Sequence, residues 1–445
     1  MSNTPAVLVA GTGSGVGKTT VALGLMAALG KKYKVQPFKV GPDFIDPGHH
    51  THICGRASRN LDSFIMGERG VLDTFRRASK DAVFCLIEGV MGLFDGVDDT
   101  EIASTAHVAK ILNVPVLLVI DARGASRSVA AMVKGFSEFD SVNIQGIILN
   151  NVGSVRHVKL IRDSLNGAGI RIPIVGALPK NNELSIPSRH LGLKMANEKS
   201  LDRRSLSEFI EKNIDIEAVN DIANTFKAPE MEFDEPDESF NIRLGIAQDS
   251  AFCFYYQDSF DALKRLGAEL VFFSPMADDL PQVDGIYMGG GYPELYAREL
   301  SASRTREQIK KAAEDRMPIY GECGALLYLN ESLDTDRTYR MTGILGARSR
   351  MTDKLQALGY TEAQVVSDSP LAQKGTLIRG HEFHYSVTDC DRDARLVYRL
   401  KRGKGIDSGR DGLAEHNTVA SYMHTHPAAV SFNEFLMHCS KYKTE

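Results

Sequence analysis

The sequence has no excess of positive charge: 52 lysines and arginines against 57 aspartates and glutamates leave a formal net charge of −5. That balance gives no general electrostatic reason to expect nucleic acid or an anionic membrane as a partner. No apolar run reaches membrane-spanning length; the longest candidate, VPVLLVI at 114–120, reads as a buried strand. The six cysteines, Cys54, Cys85, Cys253, Cys323, Cys390 and Cys439, make neither metal-type pairs nor a tight framework, which suits a reducing cytosol better than secretion. The opening MSNTPAVLVAGTG lacks a basic n-region and its apolar run is too short for a signal peptide, so a cytoplasmic location is expected. Internal repeats and low-complexity tracts are also absent. What is there is an ordinary globular balance, 43% hydrophobic and 24% charged, in 445 residues. A chain of that length exceeds one ordinary core, and two domains are expected.

From residue 6 to about 180, short apolar runs alternate with helical stretches: AVLVA, KVQPFKV, AVFCLIEG, VPVLLVID, IQGIILN and IPIVGAL. Runs without polar alternation read as strands covered on both faces, so this half is expected to be a doubly wound, mainly parallel α/β sheet. The stretch APEMEFDEPDES then breaks the pattern with six acids, two prolines and no basic residue. It makes a poor core, and residues 228–240 read as an acidic linker between domains at 1–227 and 241–445. Beyond it the alternation restarts with NIRLGIAQ, SFDALKRLG, AELVFFS and VDGIYMGG, as a second α/β domain.

VLVAGTGSGVGKTT, residues 7–20, reads as a strand, a glycine-rich loop and a helix opening at Lys18. Backbone N–H groups around Gly13, Gly15 and Gly17 can cradle phosphates, Lys18 can reach the terminal phosphates, and the Thr19 hydroxyl, with Thr20 beside it, can serve Mg²⁺. The strict motif would place glycine at position 12, where Thr12 stands, but strand, loop and helix keep their register. Position 13 is glycine, so the extra lysine that ParA-type ATPases carry early in this loop is missing. FKVGPDFIDPGHH (38–50) and LIEGVMGLFDG (86–96) end at the same strand edge, where such sheets bind ligands. They supply Lys39, Asp43 and Glu88, a cation and two carboxylates of the kind phosphoryl transfer requires. The alternative for Asp43 and Asp46 is turn capping. For His49, His50 and His52 the alternatives are a metal site and, with no ligand-type repeat, solvent or substrate contact.

Taken together, the loop, KVGPDFIDP and EGVMGLFDG resemble the cobyrinic acid a,c-diamide synthase family, whose first domain is similar to dethiobiotin synthetase. The resemblance implies ATP as cosubstrate, phosphate and Mg²⁺ binding at Lys18 and Thr19, a metal site completed by Asp43 and Glu88, and a γ-phosphate contact from Lys39. It also puts Asn150, at the end of GIILNN, where the fold reads adenine.

In the second half, IYGECGALLYL (319–329) sets Cys323 between an apolar strand and a helical stretch. A small core residue is one reading. A thiolate nucleophile on a strand-to-helix turn is the other. Two further stretches favour the nucleophile. GIYMGGGYPEL (285–295) runs into Gly289, Gly290 and Gly291, whose amides can approach a reacting carbonyl. TVASYMHTHP (418–427) alternates so that Ala420, Tyr422, His424 and His426 are expected on one strand face. Glycine loop, cysteine elbow and late histidine, in that order, resemble class I glutamine amidotransferase domains. By position the resemblance implies Cys323 as nucleophile, His424 as proton relay, and Gly290 and Gly324 as oxyanion donors. The glutamate that usually follows the histidine by two residues is replaced by His426, which leaves the partner orienting His424 open. His381 and His384 in GHEFHYS add a metal-site alternative, awkward because residues three apart face opposite ways on a strand.

The joint expectation is an amide made from a carboxylate through an acyl phosphate, with ammonia from glutamine. The resemblance supplies a tetrapyrrole acceptor, cobyrinate or alternatively nickel sirohydrochlorin. A ParA-like ATPase with a degenerate partner domain and a free-standing glutaminase are the other classes considered. Oligomeric state is left open, a homodimer included.

Overall fold

A computed structural model describes residues 4–181, 188–189, 192–193, 202–229 and 239–444. The chain divides into two compact units, Met1–Phe233 and Asp234–Glu445. Most of the segment expected as a linker, residues 230–238, lies outside the described residues.

In the first unit β1 (Ala6–Gly11), β2 (Val35–Val40), β3 (Arg59–Leu61), β4 (Phe84–Glu88), β5 (Val116–Asp121), β6 (Ile144–Val152) and β7 (Ile174–Pro179) form one sheet in the order β3-β2-β4-β1-β5-β6-β7. Every pairing in it is parallel. Alternate residues of β1 enter different cores. Ala6, Leu8 and Ala10 pack with Phe38, Ile87 and Leu118, whereas Val7 and Val9 pack with Leu25, Leu86 and Leu117. Both faces are dry, which is why these strands show no polar alternation. Because the strands are parallel, the ends of β1, β2 and β4 reach one edge together. There α1 (Lys18–Leu29) and α2 (Ile45–Cys54) begin. A two-residue pair, β8 (Ser188–Arg189) and β9 (Gly192–Leu193), is antiparallel.

The second unit holds a ten-stranded mixed sheet. Its strands are β10 (Ile242–Ala247), β11 (Ala268–Phe273), β12 (Gly285–Met288), β13 (Ile319–Glu322), β17 (Ala357–Val365), β18 (Leu377–His384), β20 (Arg395–Arg402), β21 (Arg410–Glu415), β22 (Thr418–Ser421) and β23 (His424–Thr425). The order is β11-β10-β12-β13-β22-β21-β20-β17-β18-β23, parallel through β22 and antiparallel beyond. A smaller sheet joins β14 (Asn330–Asp334), β15 (Thr338–Arg340), β16 (Leu345–Met351) and β19 (Ser386–Cys390). The architecture is α/β in both units, a doubly wound parallel sheet followed by a domain built on a mixed sheet.

One strand departs from expectation. Residues 418–427 do not form a single strand with Ala420, Tyr422, His424 and His426 on one face. β22 ends at Ser421 beside β13, and β23 pairs instead with β18, Gly380 with Thr425 and His381 with His424. The Tyr422 N–H donates to the Asp411 carboxylate at 3.2 Å, which takes it out of the ladder and breaks the period.

Candidate functional site

The phosphate loop follows β1. Gly17 caps α1 at φ 100° and Gly15 stands at φ 76°, left-handed positions that glycine takes without strain. A Cβ at Gly13 or Gly15 would meet nothing within 4 Å, so the loop backbone is open on that side. At Gly17 it would fall 2.2 Å from Asn150 Nδ2, and that amide donates to the Val16 carbonyl at 2.9 Å. Asn150, expected to read adenine, here braces the loop. The Lys18 ammonium is bent back onto the Gly13 carbonyl at 3.0 Å. Burial, and the neighbouring Lys39 charge, hold its pKa below the ordinary lysine value. Thr20 lies in the same first helical turn as Thr19.

At the ends of β2 and β4 a buried network surrounds Glu88. Its Oε1 accepts from the Thr19 hydroxyl at 2.6 Å and from Lys39 at 3.1 Å, and its Oε2 lies 2.6 Å from His50 Nε2. Lys39 also reaches Asp46 at 2.6 Å and the Gly89 carbonyl at 3.1 Å. Burial alone would lower the Lys39 pKa, but Asp46 and Glu88 outweigh it and hold the ammonium charged. Burial alone would raise Glu88; Lys39, with His50 and Thr19, holds it well below the carboxylate range instead. Of the expected metal residues, Thr19 and Glu88 meet directly. Asp43 does not join them: its two oxygens accept from the Ile45 and Asp46 N–H groups at 2.8 and 3.3 Å, as a cap for α2. Its pKa is pushed up to about 7, by burial first and by Asp46 second. Asp46, read only as a turn former, is the carboxylate that reaches Lys39. The three histidines of α2 diverge: His50 turns to Glu88, His49 is buried and His52 is exposed. Among the described residues no three His, Cys, Asp or Glu side chains form a ready-made metal cage.

In the second unit Cys323 occupies the turn between β13 and the short helix Gly324–Leu329, at φ 48° and ψ −98°. A positive φ at a residue with a Cβ is strained backbone. The turn is held by the Cys323 N–H donating to the Ser421 carbonyl at 2.7 Å. Across from it, the Gly290 carbonyl accepts from the Cys253 and Phe254 N–H groups at 2.9 and 3.0 Å. The trans peptide that follows turns the Gly291 N–H the opposite way, and this nitrogen lies 3.1 Å from where a Gly324 Cβ would be. Gly290 itself lies against the histidine, since a Cβ there would come within 2.4 Å of His424 Cε1.

His424 and Cys323 do come together, close enough for the sulfur to act on the imidazole, and the thiol donates to the Phe383 carbonyl at 3.9 Å. His424 Nδ1 stands 3.5 Å from Glu322 Oε2, with both side chains almost fully buried. Burial alone would lower the His424 pKa; the Cys323 sulfur and Glu322 outweigh it and raise it to about 9. His381 stacks on this ring at 4.9 Å and is held well below the ordinary histidine value by burial and by His424, so it stays neutral. His384 goes elsewhere, stacked on Tyr422 at 3.6 Å. His426, in the place of the missing carboxylate, turns away. Its Nδ1 accepts from the Ala428 N–H at 3.1 Å and its Nε2 is 3.8 Å from Asp258. His426 is thus engaged with the Ala428 amide and near Asp258 rather than with His424. The group missed from sequence is Glu322, and its signal was a carboxylate in an otherwise apolar strand beside the cysteine.

A strained cysteine with a histidine near its sulfur in one unit, and a glycine loop with lysine and threonine in the other, define a glutamine amidotransferase joined to a nucleotide-binding domain. Residues 7–193 match the CobQ/CobB/MinD/ParA nucleotide binding domain, and residues 243–432 the CobB/CobQ-like glutamine amidotransferase domain. A cobyrinate a,c-diamide synthase of Methanosarcina barkeri is 41% identical, covering 98% of this chain and 95% of its own. Those of Methanobrevibacter smithii (42% identical; 95% and 96%) and Caldanaerobacter subterraneus subsp. tengcongensis (41%; 98% of each) are similarly related. The chain belongs to the cobyrinate a,c-diamide synthase family, and it is a glutamine-hydrolysing ligase with an ATP-binding domain.

Proposed function

We propose that this chain uses ATP and glutamine to amidate the a and c acetate side chains of a cobalamin-pathway tetrapyrrole, cobyrinate. The observation that carries the reading is Cys323 at a strained elbow with the His424 imidazole near its sulfur and against Gly290, in a chain that also holds a phosphate loop. Relatives named for cobyrinate a,c-diamide synthesis match it along nearly their whole length.

In the amidotransferase domain the Cys323 sulfur attacks the side-chain amide carbon of glutamine. The oxyanion accepts from backbone N–H groups of the Gly290–Gly291 turn and of Gly324. The thiol proton passes through His424 to the departing nitrogen, ammonia leaves, and water cleaves the thioester to glutamate. In the nucleotide domain the loop amides and Lys18 hold the triphosphate while its γ-phosphoryl group moves to an acetate oxygen. Ammonia then attacks the acyl phosphate and phosphate departs. The Thr19 hydroxyl and the Glu88 carboxylate, which already meet, suit a hard cation that keeps several of its waters and would hold Mg²⁺ to neutralise phosphate charge, while Asp43 would have to leave the Ile45 and Asp46 amides to join them.

Two acceptors fit this chemistry, cobyrinate and nickel sirohydrochlorin, and assaying both with ATP and glutamine identifies the substrate. The two-domain reading is tested by Cys323→Ala. It is expected to abolish amidation from glutamine while added ammonium still supports it, because only the ammonia source is lost. Equal loss with both nitrogen donors would sink the reading.

A further inference from the structure

We infer that Glu322, the residue directly before the nucleophile, is the carboxylate that positions His424, in place of the glutamate this chain lacks two residues after the histidine. The inference rests on the glutaminase reading of Cys323 and His424. Tyr320 and Glu322 share one face of β13, while the sharp turn at Cys323 throws the sulfur off the strand. Glu322 Oε1 is fully engaged: it accepts from the Tyr320 hydroxyl at 2.6 Å, from the Thr425 N–H at 3.1 Å and from the Thr425 hydroxyl at 3.0 Å. Those donors fix the carboxylate plane and leave Oε2 for His424 Nδ1, 3.5 Å away. Catalytic hydrogen bonds of that length tighten when substrate binds. The break after β22 contributes to this arrangement, since pairing of β23 with β18 accompanies the turn of the Thr425 N–H toward Glu322.

With Nδ1 facing Glu322, Nε2 is the nitrogen left for the thiol, which is the tautomer a proton relay needs. A buried carboxylate without a countercharge is costly, and the ion pair Glu322 makes among the described residues is with His424. The titratable groups facing the imidazole are Cys323, Glu322 and the neutral His381, with Tyr320 behind Glu322 and Tyr256 behind His381. The raised His424 pKa agrees with that surrounding.

The test is Glu322→Gln, which keeps an acceptor for Tyr320 and Thr425 and removes the charge. Glutamate release is expected to fall in kcat by about a hundredfold or more, with KM moved by less than about threefold, as for loss of an orienting carboxylate. Alkylation of Cys323 by iodoacetamide, followed against pH at that residue, should shift its midpoint upward in Glu322→Gln. In a His424→Gln background the same change should shift it no further, because a positioning residue acts through the histidine. Glutamate release within about threefold of the parent, or a shift that persists without His424, overturns the inference. Should Glu322→Gln not fold, nuclear magnetic resonance of the unsubstituted protein decides: a strongly downfield His424 Nδ1–H supports a carboxylate partner, and an ordinary shift overturns it. A Cys323→Ala protein that still released glutamate would overturn the underlying reading, and this inference with it; that result does not depend on Glu322.

Discussion

At the scale of single residues, His424 and His426 separate by what each touches. His424 stands near the Cys323 sulfur, whereas His426 is committed to the Ala428 amide and lies near Asp258. His424→Ala is expected to lower glutamate release by about two to four powers of ten, the range for losing a general base. His426→Ala should cost much less, and a larger loss there would mean that the wrong histidine carries the relay. The raised pKa of His424 also has a consequence for stability. A group held protonated by the fold contributes stability that is fully present below its unfolded pKa, about 6.5, and is lost as pH rises through its folded value. That folded value is about 9. Melting temperature should therefore fall between those limits in the parent, and fall less steeply in Cys323→Ala, where the first of the two groups raising the pKa is gone. Parallel curves for the two proteins would contradict the ion pair.

The elements show why some of this was legible from sequence and some was not. β1, β2, β4, β5, β6 and β7 are covered on both faces, so each appears as an apolar run and the parallel sheet could be read directly. β3, only Arg59–Leu61, carries no such signal. β22 and β23 look like one alternating strand, and at the break between them the Tyr422 N–H is taken by Asp411, a residue eleven positions away, while β23 pairs with β18. With the strand broken there, the period that placed both histidines on one face does not describe their surroundings, and His424 was singled out by its position in the family resemblance. Glu322 was hidden for a similar reason: its partner Thr425 is 103 residues distant. Close approach of elements makes its own prediction. A Cβ at Gly290 would press to 2.4 Å from the His424 ring, and the ring is already stacked on His381. Gly290→Ala should thus displace the imidazole and reduce glutamate release nearly as far as His424→Ala, with the fold retained by circular dichroism. Near-normal release would mean that the glycine loop can retreat from the ring.

At the scale of the molecule, the two units carry separable chemistry, and the separation can be read from which nitrogen donor rescues which variant. Lys18 sits at the start of α1 with its ammonium on the Gly13 carbonyl, inside the loop whose amides are proposed to hold the triphosphate. Its charge is proposed as the loop's point contact with the terminal phosphates, and burial together with the neighbouring Lys39 lowers its pKa. Lys18→Ala is therefore expected to remove amidation with glutamine and with ammonium alike, since no acyl phosphate forms without a held triphosphate. Glutamate release is proposed to depend on Cys323 in the other unit and should persist in this variant. The measurement pairs amide formation with glutamate release in the same sample. Ammonium-supported amidation by Lys18→Ala would mean that the phosphate loop is not the synthetase site, whatever the fate of the glutaminase.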